Sequence, residues 1–159
     1  MKIILGSDKS GFYLKEAVKD FLNANGYDVI ETGTVTPEKG IPFYEVAPQA
    51  CSCIQKGNAD LGILICGTGM GMSQVANKFK GIRAACVESI YGARMARVIN
   101  NSNILCMGGW ILAPEMAIEM VKAFLQAEHT EGVEEWRRDF LKNALVKIEE
   151  LEDNIYGRG

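Results

Sequence analysis

The segment LGILICGTGMGMS, residues 61–73, decides the fold. It opens with a continuous apolar run of strand length, reaches Cys66, and then gives three of the next five positions to glycine: Gly67, Gly69 and Gly71. An apolar run without alternation suits a strand buried on both faces of a parallel sheet. The glycines mark a tight turn, and the residues beyond them resume a helical pattern. The segment therefore reads as strand, turn, helix. Four more runs have the same character: KIIL at 2–5, YDVIET at 27–32, IRAACV at 82–87 and NILCM at 103–107.

Helical patterns lie between these runs. Leu14, Ala17, Val18, Phe21 and Leu22 follow the spacing of a one-faced helix that Gly26 is placed to end. Phe43, Val46, Ala47, Ala50 and Ile54 repeat it, with Gly57 as the stop. Further helices are predicted from about Met72 to Phe79, from Ser89 or Tyr91 to Ile99, and from Pro114, a favoured first-turn residue, to about Ala127. Five strand-then-helix units in succession predict an α/β fold: an open, five-stranded parallel sheet flanked by helices, with right-handed crossovers. After Ala127 a polar break, HTEGVEE, precedes an extra C-terminal helix over 133–156 with Trp136, Phe140, Ala144, Ile148 and Leu151 on one face. That helix has no strand of its own, so it either caps its own domain or packs on a second subunit.

The chain has 159 residues, the size of a single domain, with residues 1–127 as the α/β core and no room for a second, substrate-binding domain. A net charge of −3 with no Lys/Arg cluster argues against nucleic acid as a partner. No apolar run approaches the roughly 18 residues of a membrane span. The opening MKIILGSD is too short for a signal peptide's apolar region, so a cytoplasmic location is expected. Five cysteines, an odd number, predict free thiols rather than a disulfide framework. No metal site is expected: Cys51 and Cys53 are separated by one residue, and His129 is the only histidine.

Ligands of open α/β sheets bind beyond the carboxyl ends of the strands. That filter selects Ser7 to Gly11, the loop 33–42, Cys66 to Ser73, Glu88 and Ser89, and Gly108 to Trp110. A phosphate cradle of the Walker kind needs a lysine after the glycines, and none follows. The dinucleotide fingerprint would put its third glycine at Met72; Glu88 stands about where a ribose-binding acid would, so nucleotide binding stays a minor alternative. A cysteine phosphatase would clamp phosphate with an arginine where Met72 stands. What remains is a thiol at a strand end facing the N–H groups of a helix start, an oxyanion hole that also favours an anionic sulfur. Such a thiolate either attacks a carbonyl or removes the acidic proton beside one. Nucleophilic cysteines recruit a histidine base, and the one histidine lies in the break before the last helix, so proton abstraction needs fewer parts. Cys51, Cys53, Cys86 and Cys106 lie inside helical or strand patterns and read as structural thiols. Thr68 and Ser73 read as caps or substrate donors, Asp8 as a cap or a binder of sugar hydroxyls, and Lys9 as a solvated cation or the partner of an anion.

Three segments carry a resemblance: GSD-x-x-G-x-x-LKE from Gly6, GILICGTGMGMSQVANKFKGIRAA from Gly62, and ARMARVINNSNILCMGG from Ala93. In order, and over residues 2 to about 127, they resemble the type B ribose-5-phosphate isomerase family, which also holds galactose-6-phosphate and allose-6-phosphate isomerases. The resemblance implies a Rossmann-like fold, a homodimer with sites shared between subunits, and further pairing into tetramers as an open alternative. It also implies aldose–ketose isomerisation of a small sugar or sugar phosphate through an enediolate, with no metal and no cofactor. Carried over by position, Cys66 is the base that moves a proton between C2 and C1. Gly67, Gly69, Gly71 and Ser73 hold the enediolate oxygen, Thr68 assists, and Asp8 and Asn100 bind substrate hydroxyls.

Four positions depart from the family pattern. A histidine is replaced by Lys9, the ring-opening histidine by Ile99, and an arginine by Trp110; in the tail, where two arginines are expected, Glu134 and Arg138 stand. Isoleucine transfers no proton, and a carboxylate where an arginine gripped phosphate repels it. The expected substrate is therefore already open-chain and held without the usual phosphate clamp: a short sugar, a sugar acid whose carboxylate meets Lys9 or Arg138, or an unphosphorylated ketose. Trp110 offers such a ligand an apolar face, or else packs on a partner subunit. The alternative from another class is a catalytically silent sugar-binding or partner subunit of the same family.

Overall fold

The computed structural model describes residues 1–157. Five strands, β1 (Lys2–Ser7), β2 (Asp28–Gly33), β3 (Leu61–Cys66), β4 (Ala84–Cys86) and β5 (Ile104–Gly108), form one parallel sheet in the order β2-β1-β3-β5-β4. The helices are α1 (Phe12–Ala24), α2 (Phe43–Gln55), α3 (Met70–Ala76), α4 (Ile90–Asn100), α5 (Pro114–Gln126) and α6 (Glu135–Tyr156). The five-stranded α/β sheet read from the apolar runs is the sheet found.

Side chains alternate along each strand and both faces are covered, which is why the strands read as unbroken apolar runs. Ile3, Leu5, Ile63, Ile65, Leu105 and Met107 face α1, α4 and α5. Ile4, Leu64, Cys66, Ile104 and Cys106 face α2 and α3 on the other side. In register, Ser7 lies opposite Gly33 and Ile65, and Cys66 opposite Gly108, so four strands finish at one edge of the sheet.

Two elements differ from expectation. The fourth strand is only Ala84–Cys86, a half-buried edge strand, because the Arg83 and Ala84 N–H groups are taken by the Asn103 and Asn77 side chains rather than by a neighbouring strand. Helix α3 begins at Met70 rather than Met72 and ends at Ala76 rather than Phe79. Its start is set by Gly69, whose φ of 78° is left-handed and turns the chain one residue before the helix. Its end is set by Asn77, whose side chain donates to the Ala84 carbonyl (2.8 Å) and accepts from the Ala84 N–H (2.9 Å). That pair diverts the chain into β4.

One charge is buried in the frame. Lys15 on α1 has no exposed surface; its Nζ lies 2.7 Å from Glu31 Oε1 and 3.0 Å from Glu16 Oε1, and it donates to the Thr34 carbonyl at 2.8 Å. The Thr34 hydroxyl in turn accepts the Ile41 N–H (2.9 Å), closing the loop that leads into α2. Helix α6 lies over the end of α4 and is tied to the α3–β4 turn by Lys80–Asp153 (2.7 Å) and by the Gly81 N–H donating to Glu152 (2.9 Å). No helix of the described residues is long and apolar enough to cross a membrane.

Candidate active site

The strand order reverses at β1: its neighbour on one side is β2 and on the other β3. Connections leaving such a switch point diverge and open a crevice at the carboxyl edge. Asp8 leaves β1 and Cys66 ends β3 on the two sides of it, tied by the Asp8 N–H donating to the Ile65 carbonyl at 3.2 Å.

Cys66 is buried, and its Sγ accepts the Gly69 N–H at 3.1 Å. Gly69 is required twice over. Its left-handed φ disfavours a side chain, and a Cβ there would stand 2.9 Å from the Met107 backbone and 3.0 Å from Cys86 Sγ. The Thr68 hydroxyl oxygen accepts the Met70 N–H at 3.3 Å, leaving its proton free to point into the crevice. The first N–H groups of α3 have no partner inside the helix, as at every helix start. Asp8 Oδ1 accepts the Gly11 N–H at 2.9 Å. Burial raises the Asp8 carboxyl above the usual aspartate range, partly offset by the N–H groups of Gly11 and Ser10.

Asp8, Cys66, Gly67, Thr68 and Gly71 line one cavity of about 200 Å³, completed by Ser10, Phe43 and Trp110. The cavity thus gathers the thiol, a carboxylate, a hydroxyl and the glycine turn within reach of one small molecule. Trp110 is mounted on the turn: its N–H donates to the Gly67 carbonyl at 3.0 Å, and the Gly109 N–H to the Cys66 carbonyl at 2.8 Å. Lys9 opens from Asp8 into an adjoining hollow of about 350 Å³ bounded by Gly40, Ile41 and Pro42. Among the described residues it forms no ion pair.

Three expected site residues lie elsewhere. Ser73 turns its hydroxyl to the Ala84 carbonyl (3.3 Å) on the far side of α3. Asn100, at the end of α4, lines a groove of about 660 Å³ with Arg83, Met95 and Ile148. Arg138 is exposed on α6, its guanidinium donating to the Val133 carbonyl at 3.4 Å. None of the three borders the cavity around Cys66. Phe43, conversely, was read only as a core position of its helix. Its place directly after the strand-to-helix loop 33–42 was the available signal.

Three of the four remaining thiols are poor candidates for chemistry. Burial pushes Cys51 up to about 12 and Cys106 well up, and Cys86 is raised by burial, by Cys66 and by Glu88. These three are neutral at physiological pH. Among the described residues no group of three or more His, Cys, Asp or Glu side chains is placed to hold a metal ion.

Comparison with known proteins matches the same elements. A family model described as Ribose/Galactose Isomerase covers residues 3–140. The chain is 53% identical, over all of both chains, to a 4-deoxy-4-sulfo-D-erythrose isomerase of Clostridium sp. (strain MSTE9). It is 39% identical to ribose-5-phosphate isomerase B of Escherichia coli (strain K12), covering 94% of this chain and 97% of that one. The solved structure of Clostridium thermocellum ribose-5-phosphate isomerase B superposes with a TM-score of 0.89 at 37% identity, covering 98% and 99% of the two chains. A Rossmann-like sheet carrying the thiol turn at its switch point, matched over nearly its whole length, places this chain in the ribose/galactose isomerase family of aldose–ketose isomerases.

Proposed function

We propose that the protein isomerises a short, open-chain, anionic aldose to its ketose, with Cys66 as the base, and that 4-deoxy-4-sulfo-D-erythrose is its substrate. The observation that carries the reaction is the Cys66 sulfur held 3.1 Å from the Gly69 N–H, in one cavity with Asp8 and Thr68. The thiolate takes the proton from C2, and the electron pair moves onto O1 as the enediolate forms. N–H groups of the turn Gly67 to Gly71 other than those of Gly69 and Met70, which bond Cys66 and Thr68, stabilise that oxygen. The Thr68 hydroxyl passes the O2 proton to O1, and the Cys66 thiol returns its proton to C1, leaving a C2 ketone and a C1 alcohol. Asp8 holds the substrate's inner hydroxyl, and Lys9 meets the terminal anion.

The departures from the family pattern support this substrate. A four-carbon aldose whose C4 oxygen is replaced by sulfonate has no hydroxyl able to close a five-membered ring. It needs no ring-opening acid or base, and Ile99 stands where the family pattern has that histidine. The relative named for this sugar is also 53% identical over the full length. Asn100 and Arg138 enter through a second copy of the chain in a cytoplasmic homodimer, whose α4 and α6 present them to this cavity.

The test is solvent exchange in D2O with 4-deoxy-4-sulfo-D-erythrose, read by NMR at C1 and C2. Deuterium incorporation that vanishes in Cys66→Ala is the expected result. Tight binding without exchange would replace this reading by the catalytically silent binding subunit, which the loss of both family histidines, at Lys9 and Ile99, would then explain.

A further inference from the structure

We infer that Trp110 and Phe43 form a size filter, two aromatic rings at the ends of the glycine turn that admit a four-carbon open chain and exclude a five-carbon sugar or furanose ring. The inference rests on the isomerase reading for what the cavity receives, and on geometry for what it refuses.

The rings are placed by two missing side chains. A Cβ on Gly67 would fall 2.8 Å from Cδ2, Cε3 and Cζ3 of the Trp110 indole, and one on Gly71 would fall 2.9 Å from Cε2 of Phe43. Each ring therefore packs against bare peptide, closer than any residue with a side chain would allow. The glycines at 67 and 71 have a second use besides presenting N–H groups: they let the walls of the cavity close in.

Both rings stand on backbone held by hydrogen bonds or a helix start. Trp110 is bolted to the turn by its own N–H on the Gly67 carbonyl (3.0 Å), and the next N–H, of Ile111, donates to Gly108 (3.1 Å). Phe43 is the first residue of α2, behind Pro42 and beneath a loop closed by the Thr34–Ile41 hydrogen bond, with Tyr44 edge-on at 5.4 Å. The backbone of each ring is thus fixed, and each ring lies against the glycine opposite it.

The chemistry of the walls sharpens the exclusion. The groups able to hold a polyol, Asp8, Ser10, Cys66 and Thr68, share the cavity with the two rings, and Lys9 lies just past Asp8. Phe43 has no polar atom, and the part of Trp110 that meets Gly67, Cδ2, Cε3 and Cζ3, is the side of the indole away from its N–H. An added CHOH unit would press a hydroxyl on an aromatic face and lose its water without replacement. Trp110 is 74% exposed, so core packing does not account for an indole at this place.

The test compares D-erythrose 4-phosphate with D-ribose 5-phosphate, which share an anion and differ in length and in the ability to form a ring. Calorimetric Kd values are measured in a Cys66→Ala background, where turnover does not interfere, with and without Trp110→Ala or Phe43→Leu. A discrimination of about tenfold or more for the shorter probe is expected, the scale a pocket achieves against one extra carbon unit. Either substitution should cut that discrimination by about tenfold through tighter binding of the longer probe. Discrimination unchanged in both variants, equal loss of both probes, or no binding of the shorter probe would overturn the filter. So would a Trp110→Ala change that alters only sedimentation, since the indole would then be an intersubunit contact. Trp110→Ala keeps the test valid if Phe43→Leu melts early, because the exposed indole is not part of the core. Deuterium exchange by the unsubstituted protein is read separately: its absence counts against the isomerase reading, while the binding ratio alone judges the filter.

Discussion

Cys66 and Asp8 differ in what their positions cost the fold. Cys66 is an apolar-sized side chain in a packed core, so Cys66→Ala should fold normally, and its loss should lower kcat by roughly 10²–10⁴, the usual worth of a positioned base. The exchange rate in D2O measures it, and a loss under tenfold would move the base elsewhere. Asp8 is the reverse case. Its carboxyl is raised above the ordinary 3.8 by burial, with Gly11 and Ser10 N–H groups pulling the other way. Folding therefore favours its protonated form, a contribution complete at acid pH and lost as pH rises through the folded value. At pH 7 the charge is a burden on the fold. Asp8→Asn keeps the acceptor for the Gly11 N–H, so Tm at pH 7 should stay level or rise while turnover falls; a clear drop in Tm would refute this. At this scale the common place of Cys66, Thr68, Gly67 and Asp8 beyond the strand ends was legible from strand ends and turn chemistry. The placement of Ser73 was not: inside α3 its hydroxyl turns to the Ala84 carbonyl rather than to this cavity.

Among the elements, α1 and β2 are joined by the buried ammonium of Lys15. Lys15→Met strips Glu31 of its closest partner and leaves the Thr34 carbonyl unsatisfied, so a loss of about 3–5 kcal/mol is expected by chemical denaturation. Burial acts to raise Glu31 and Glu16, but hydrogen bonds from Lys15 and Lys19 outweigh it and hold both below the usual 4.5. Carboxyls lowered by folding stabilise above their unfolded range, and that stability is lost as pH falls through the folded values. Thermal midpoints should therefore drop on acidification below the glutamate range, with a shallower drop in Lys15→Met. An equal slope in both proteins would dissociate the cluster from the acid response. Helix periodicity located α1, but Glu31 arrives from a strand 16 residues on, so the charge's partner was beyond any local pattern.

At the scale of the molecule, the face of α6 read as apolar is largely uncovered within the chain: Trp136 is 70%, Phe140 64% and Leu151 56% exposed, and Leu141 alone on this helix is buried. Contiguous apolar surface of this kind marks an interface. Replacing Trp136 and Phe140 by glutamate should shift the sedimentation of the proposed homodimer to that of a monomer. Exchange activity should fall with it, because Asn100 and Arg138 lie away from the Cys66 cavity of their own chain. A double variant that remains dimeric and active would place the interface on another face. By itself the sequence determined the strand-and-helix alternation, the parallel sheet and the thiol turn at a strand end, because burial on both faces and left-handed glycine backbone leave local traces. Only the tertiary structure decided that Phe43 joins Trp110 in walling the site, that Lys15 is buried and paired, and that Asn100 and Arg138 stand apart from Cys66. Those outcomes depend on how distant segments cross, and no local period records a crossing.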